Sequence, residues 1–153
     1  MGDLAHVLEG SRVPLISQKV GEDPKIDGKL DEPAWQQATE AKLINAYDRE
    51  HKTPRFPTSV RAVWTARGVT LGFVCHEPEV AAIQKSRTGR DHSTLYWDDD
   101  VEMIFDVTGK GAGEYVHFIV SAAGVIADAR GQDYSWNLAG MQTATTIGKD
   151  DWT

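Results

Sequence analysis

The sequence predicts an all-β fold, an antiparallel β-sandwich of the jelly-roll or immunoglobulin-like kind that lacks one or more C-terminal strands. Three observations carry this reading. Apolar residues recur with period two in several short runs, Gly-, Pro- and Asp-containing turns separate those runs, and hardly any stretch shows the 3.6-residue spacing of an amphipathic helix. At 153 residues the chain suits one domain with a real core.

Residues 1–24 mix Gly, Pro and charge with short apolar pairs such as Leu15 and Ile16, and read as an N-terminal arm or a first edge strand. Residues 25–153 form the sandwich. In "KIDGKLDEPAWQQA" Asp27-Gly28 signals a turn after a short strand, and Asp31 is expected to cap a short helix with Pro33 in its first turn and Trp35 and Ala38 on its buried side. A loop is expected around "REHKTPRFP". "SVRAVWTARGVTLGFVCHEPE" reads as a hairpin, with Val60, Ala62 and Trp64 sharing a face in its first strand, Leu71, Phe73 and Cys75 sharing one in its second, and Ala66-Arg67-Gly68 as the connection.

A polar loop, "AAIQKSRTGRDHST", leads to a strand in which Val101, Met103, Phe105 and Val107 alternate with Glu102, Ile104 and Asp106. "TGKGAG" is a Gly-rich reversal, "EYVHFIVSAAG" the next strand and "VIADAR" a third. The Gly-rich run joins two strands and opens no helix, so it lacks the amide cluster that cradles a phosphate. Gly148 to Asp151 make a turn, and Trp152-Thr153 reads as the opening of a further strand, from which a C-terminal truncation is expected.

Composition narrows the chemistry. A net charge of -7 with scattered Lys and Arg argues against nucleic acid as partner. No segment approaches membrane-spanning length, and the first ten residues lack the apolar run of a signal peptide. Cys75 is the single cysteine, so neither an internal disulfide nor a cysteine-based zinc site can be built.

The stretch "LYWDDDVEMIFD" concentrates the candidate chemistry. A pyranose shows C–H groups on one face and hydroxyls around its rim, so an aromatic plane covers the face while carboxylates, amides or guanidinium groups bind the rim. Tyr96, Trp97, Glu102, Arg130, Trp136 and Asn137 supply those types. Glu102 alternates with the apolar positions of its strand and is expected to point away from them. Asp98, Asp99 and Asp100 are a candidate calcium site, although three neighbours on an extended segment cannot all face one ion, which favours a solvated turn. Asp99 and Glu102 fall on opposite sides of a strand and make no glycosidase pair, so no catalytic residue is assigned.

Taken together, "IDGKLDEPAW", "VRAVWTARGVTLGF", "DDDVEMIFD", "YVHFIVSAAGVIADA", "WNLAG" and "DDWT" resemble, in order and spacing, the family 9 carbohydrate-binding modules and their looser relatives, from about Lys25 to Thr153. The resemblance implies a β-sandwich that binds a mono-, oligo- or polysaccharide without cleaving it, covalently linked to the neighbouring domains of an exported, polysaccharide-degrading protein. An extracellular or periplasmic location follows from the same likeness. No cofactor is required, and structural calcium is common in such relatives. Family members clamp a sugar between two aromatic side chains; the first corresponds to Trp97 or Tyr96, and the second lies beyond Thr153. Where some members hold an arginine after the Gly-rich turn, this chain has Ile119 with His117 nearby.

Two further readings belong beside this one. A related sandwich binds haem through axial Met, His or Lys ligands in periplasmic dehydrogenases, which draws attention to Met103, His76 and His117. His6, His51 and His92 complete the histidines, none at a metal-ligand spacing. The module can also be a spacer or protein-interaction domain whose sugar site has decayed.

Overall fold

The computed structural model of the chain describes residues 15–45, 54–109 and 114–153. Most of the N-terminal arm, His6, His51, most of the expected loop around "REHKTPRFP" and the last four residues of "TGKGAG" lie outside the described residues. The fold is all-β, and among the described residues the strands lie in two sheets and helix is confined to three short turns. Two compact units emerge: one holds residues 29–78, the described residues up to Lys25, and Thr153; the other holds 79–152 with Ile26–Gly28.

In the first unit β3 (Thr58–Thr65) and β4 (Gly68–His76) form the hairpin read from the sequence. Val60 faces Phe73 and Ala62 faces Leu71 across the ladder, and a two-residue connection, Ala66-Arg67, turns the chain. Thr65 holds that turn, its Oγ1 accepting from the Arg67 N–H at 3.0 Å while the hydroxyl donates to Asp23. The other edge of β3 takes two short strands, β1 (Ser17–Lys19) and β2 (Ala41–Lys42). β1 runs parallel to β3, a departure from the all-antiparallel expectation, and β2 is a strand the sequence did not announce. Trp64, on the same face as the buried Val60 and Ala62, is itself 39% exposed, with the Lys19 ammonium 5.1 Å from its ring centre.

The short helix, Pro33–Gln37, starts where expected, with proline in its first turn, but its N-cap is Glu32 and Asp31 plays no capping part. Glu32 Oε1 instead accepts the Lys25 N–H at 3.1 Å, which ties down the chain where a short strand was expected and none forms. Trp35, Ala38 and Val63 make a buried cluster with Val20 and Leu30 against it. Gly72 allows this contact: a Cβ there would lie 2.5 Å from Leu30 Cδ2 and 3.2 Å from Trp35 Cη2. The sheet presents bare backbone to the indole, which is why the helix can lie so close.

The second unit is built on β5 (Asp100–Asp106), β6 (Tyr115–Ser121) and β7 (Ile126–Arg130), an antiparallel sheet with β6 central. Its two faces differ. Val101, Met103 and Phe105 share one with Val116, Phe118 and Val120, of which Phe118 and Val120 are buried. Asp100, Glu102 and Ile104 share the other with Ser121, Ile119 and His117. Ser121, fully buried, caps the β6–β7 turn by accepting the N–H groups of Ala123 and Val125 on its hydroxyl, both at 3.3 Å. Gly28 is in the left-handed region at φ 77, and a Cβ there would meet Thr146 Oγ1 at 2.7 Å, so the turn residue read from the sequence also seats Ile26–Gly28 against Thr145-Thr146. The chain closes with β8 (Asp151–Trp152) after the expected turn, where Gly148 donates to the Asp151 carbonyl and Ile147 bridges Trp152.

Candidate functional site

A single 3₁₀ turn, Leu95–Trp97, precedes β5. Leu95 is fully buried and anchors the turn, and the remaining two side chains of this tight helix project outward. Tyr96 is 53% and Trp97 64% exposed, their rings edge to face with centres 6.2 Å apart. The Arg87 guanidinium lies 5.6 Å from the Trp97 ring centre, within reach of a cation–π contact.

Arg87 is itself fixed by Asp98. Its Nη1 donates to Asp98 Oδ1 at 2.6 Å and its backbone N–H to Oδ2 at 2.8 Å, and the Ser86 hydroxyl adds a third, longer bond. The Asp98 side chain has no solvent exposure. Burial works to push its carboxyl up, but the Arg87 and Ser86 hydrogen bonds and the Arg87 charge together outweigh it and hold the group below the ordinary carboxylate range. Asp99 is also occupied: Oδ2 accepts the Gln84 N–H at 2.6 Å, and the backbones of the two residues pair at 2.8 Å.

The three aspartates therefore part company. Asp98 faces Arg87, Asp99 faces Gln84, and Asp100 enters β5, half-buried, on the face of Glu102. The calcium site considered from the sequence is not assembled by these residues, because among the described residues no group of three or more His, Cys, Asp or Glu is placed to hold a metal ion. Nor is the run a solvated turn, since its first carboxylate is buried in an ion pair.

On β5 the expected alternation is present. Glu102 is exposed while Val101 and Met103 are half-buried, and the Glu102 carboxylate lies 2.9 Å from His117 Nε2 on β6. The pair is diagonal across the ladder, because Glu102 stands opposite Ile119 and His117 opposite Ile104. Ile104 beside them is 66% exposed. Ile119 shares this face.

The later candidates do not join this face. Trp136 is half-buried with its ring 6.3 Å from that of Phe118, whose register places it on the opposite side of the sheet from Glu102 and His117. Asn137 is occupied: its amide oxygen accepts from Arg90, and its NH₂ donates to the Ser135 carbonyl at 3.2 Å. Both sit in a loop anchored by Asp128, whose buried carboxylate accepts from Arg90 Nη2 and, at 2.6 Å, from the Leu138 N–H. Arg130 is exposed at the end of β7, where its backbone bridges Asp133. Met103 and His117, both named in the haem reading, lie on opposite faces of the sheet and do not converge on one iron.

Sequence reading missed Arg87 and Arg90, the two cations on which these arrangements depend. Each lies in a loop without periodicity, eleven and thirty-eight residues before its aspartate, and no local pattern links them. A cavity of about 250 Å³ in the first unit, bordered by Val20, Glu22, Asp23, Glu32 and Gln37, contains none of the expected site residues. Comparison with family models, curated proteins and solved structures finds no match to this chain.

Proposed function

We propose that the chain is a non-catalytic carbohydrate-binding module of the family 9 type, an accessory part of an exported, polysaccharide-degrading protein. The observation that carries the reading is Trp97, an indole 64% exposed and held on one side by a guanidinium that is itself locked to a buried carboxylate. An aromatic plane immobilised in this way stacks on a sugar with little loss of side-chain entropy, since Arg87 and Asp98 have already restricted it. Glu102 and His117 follow on β5 and β6 as a carboxylate–imidazole pair able to accept from and donate to ring hydroxyls. Tyr96 completes the aromatic edge. Trp136 and Asn137 fall outside this proposal, since packing on Phe118 and the Arg90 contact already occupy them.

Titration calorimetry of the chain against glucose, cellobiose, xylobiose and soluble xylan tests the proposal. Measurable heat with at least one ligand is expected, and silence with all four contradicts it.

A further inference from the structure

We propose that the outer edge of β5 takes an extended peptide of alternating basic and apolar residues as a further strand of its sheet. The proposal is independent of the carbohydrate reading and rests on the backbone of the second unit.

The Ala122 N–H donates to the Asp99 carbonyl at 2.7 Å, so these two residues are a hydrogen-bonded pair at the start of the antiparallel ladder. Alternation then gives β6 the backbone groups of Val101, Met103 and Phe105, and turns those of Asp100, Glu102 and Ile104 away from it. The other side of β6 agrees. Ser121 donates to the Val125 carbonyl and Gly131 to that of Tyr115, so the odd-numbered residues of β6 serve β7 and the even-numbered ones β5.

On the outer edge of β7, Ile126, Asp128 and Arg130 are all met. Asp91 donates its N–H to the Ile126 carbonyl at 2.9 Å and accepts the Asp128 N–H on its carboxylate at 3.2 Å, while Arg130 and Asp133 exchange two backbone bonds. The outer edge of β5 has no such cover. Among the described residues nothing pairs with the outward N–H and C=O groups of Asp100, Glu102 and Ile104. Exposure follows the same division, since Glu102, Ile104 and Phe105 are exposed whereas no residue of β6 is. A bare edge of this kind is a template for an added strand.

The side chains along the edge select the strand. Residues opposite each other in a ladder share a face, so an added strand sets its side chains alternately beside Asp100, Glu102 and Ile104 and beside Val101, Met103 and Phe105. The first face carries two carboxylates. His117 engages Oε2 of Glu102 from β6 and leaves Oε1 without a partner among the described residues. The second face continues the apolar surface of Phe118 and Val120. Lysine or arginine on one side and aliphatic residues on the other match both. A second copy of this chain does not, because pairing β5 with β5 sets Asp100, Glu102 and Asp106 against the same acids, and like charges across a ladder destabilise it.

Hydrogen exchange followed by NMR on the whole chain tests the proposal, with an acetylated, amidated peptide of alternating lysine and valine, about as long as β5, as the probe. Excess peptide is expected to slow exchange of the Glu102 and Ile104 amides at least about tenfold, while those of Val101 and Met103, already bonded to β6, change little. Lysines opposite Asp100 and Glu102 point their N–H groups at β5 and the intervening valines point theirs away. N-methylation of the lysines, which keeps their charge, is therefore expected to abolish the protection, and N-methylation of the valines to leave it. A glutamate–valine peptide is expected to give none. Absence of protection by the lysine peptide, protection that survives lysine N-methylation, or equal protection by the glutamate peptide each overturns the proposal. So do Glu102 and Ile104 amides that are already slow in the free chain, which would mean that the edge is covered. If they slow only as the concentration of the protein itself is raised, the occupant is a second copy and the proposal is again overturned.

Discussion

Arg87 reaches Asp98 at 2.6 Å with one nitrogen and lies 5.6 Å from the ring centre of Trp97, so one guanidinium links a buried acid to an exposed indole. Removing it leaves the Asp98 carboxylate buried and without its cation, the condition in which breaking an ion pair is most costly. Arg87→Met is expected to lower the melting temperature by roughly 5 °C or more, the scale set by such losses in a domain of this size. It should also free the indole, seen as stronger acrylamide quenching of tryptophan fluorescence than in the unmodified chain. An unchanged melting temperature contradicts the role assigned to the pair.

Asp100 makes stability depend on pH in the direction opposite to most carboxylates. Its carboxyl rises from an ordinary 3.8 to about 6 in the folded state, so the folded chain holds the proton more tightly than the unfolded one. The stability this supplies is complete below about pH 4 and is lost as pH rises through about 6. A rise from 3.8 to about 6 corresponds to about 3 kcal/mol, which solvent screening at a half-buried site reduces to about 1 kcal/mol. Asp100→Asn should therefore raise stability by about 1 kcal/mol at neutral pH and by almost nothing near pH 4. Urea midpoints at the two pH values measure the difference, and a gain of equal size at both would remove Asp100 as its source.

Gly72 and Trp35 offer a test of the first unit. Adding one methyl group at Gly72 drives it toward Leu30, which can rotate away, and toward the indole of Trp35, which is buried and cannot. Gly72→Ala is expected to cost about 1–3 kcal/mol, the usual range for overpacking. Trp35→Ala, which opens a cavity in the same place, should cost about 3–5 kcal/mol. Denaturant unfolding of both variants checks the order.

Asp128 and Arg90 hold the loop that carries Trp136 and Asn137. Asp128→Ala removes the buried acceptor of Arg90 and releases the Leu138 N–H, so the expected result is faster amide exchange over residues 133–138 and a loss of about 2 kcal/mol or more, since a buried charged hydrogen bond is broken. Exchange that stays slow in this loop would show that Phe118 packing alone suffices.

Much of the fold was legible because it rests on local signals. Period-two runs located β3 to β7, Asp27-Gly28 and Pro33 marked the turn and the helix start, and alternation placed Glu102 away from the apolar face of β5. Pairings decided over long separations were not legible: β1 lies parallel to β3 more than forty residues away, and β2 contributes only two residues. The site divided along the same line. Tyr96, Trp97 and Glu102 lie within one short stretch, and their exposure followed from the buried Leu95 and from strand alternation. The fates of Asp98, Trp136 and Asn137 depended on Arg87, Phe118 and Arg90, which reach them from distant segments. A run of three aspartates looks like one feature in a sequence, yet the backbone sends the first two carboxylates to different partners and the third onto a face of β5.

The most direct test of the central claim compares two tryptophans. With whichever saccharide gives heat in the titration, Trp97→Ala should weaken binding by about 1 kcal/mol or more, the value of one aromatic contact, and leave the unfolding midpoint nearly unchanged. Trp136→Ala should lower the unfolding midpoint and, in the folded fraction, leave Kd unaltered. If Kd instead holds steady on removal of Trp97 and collapses on removal of Trp136, sugar is not bound where Arg87 presents its indole.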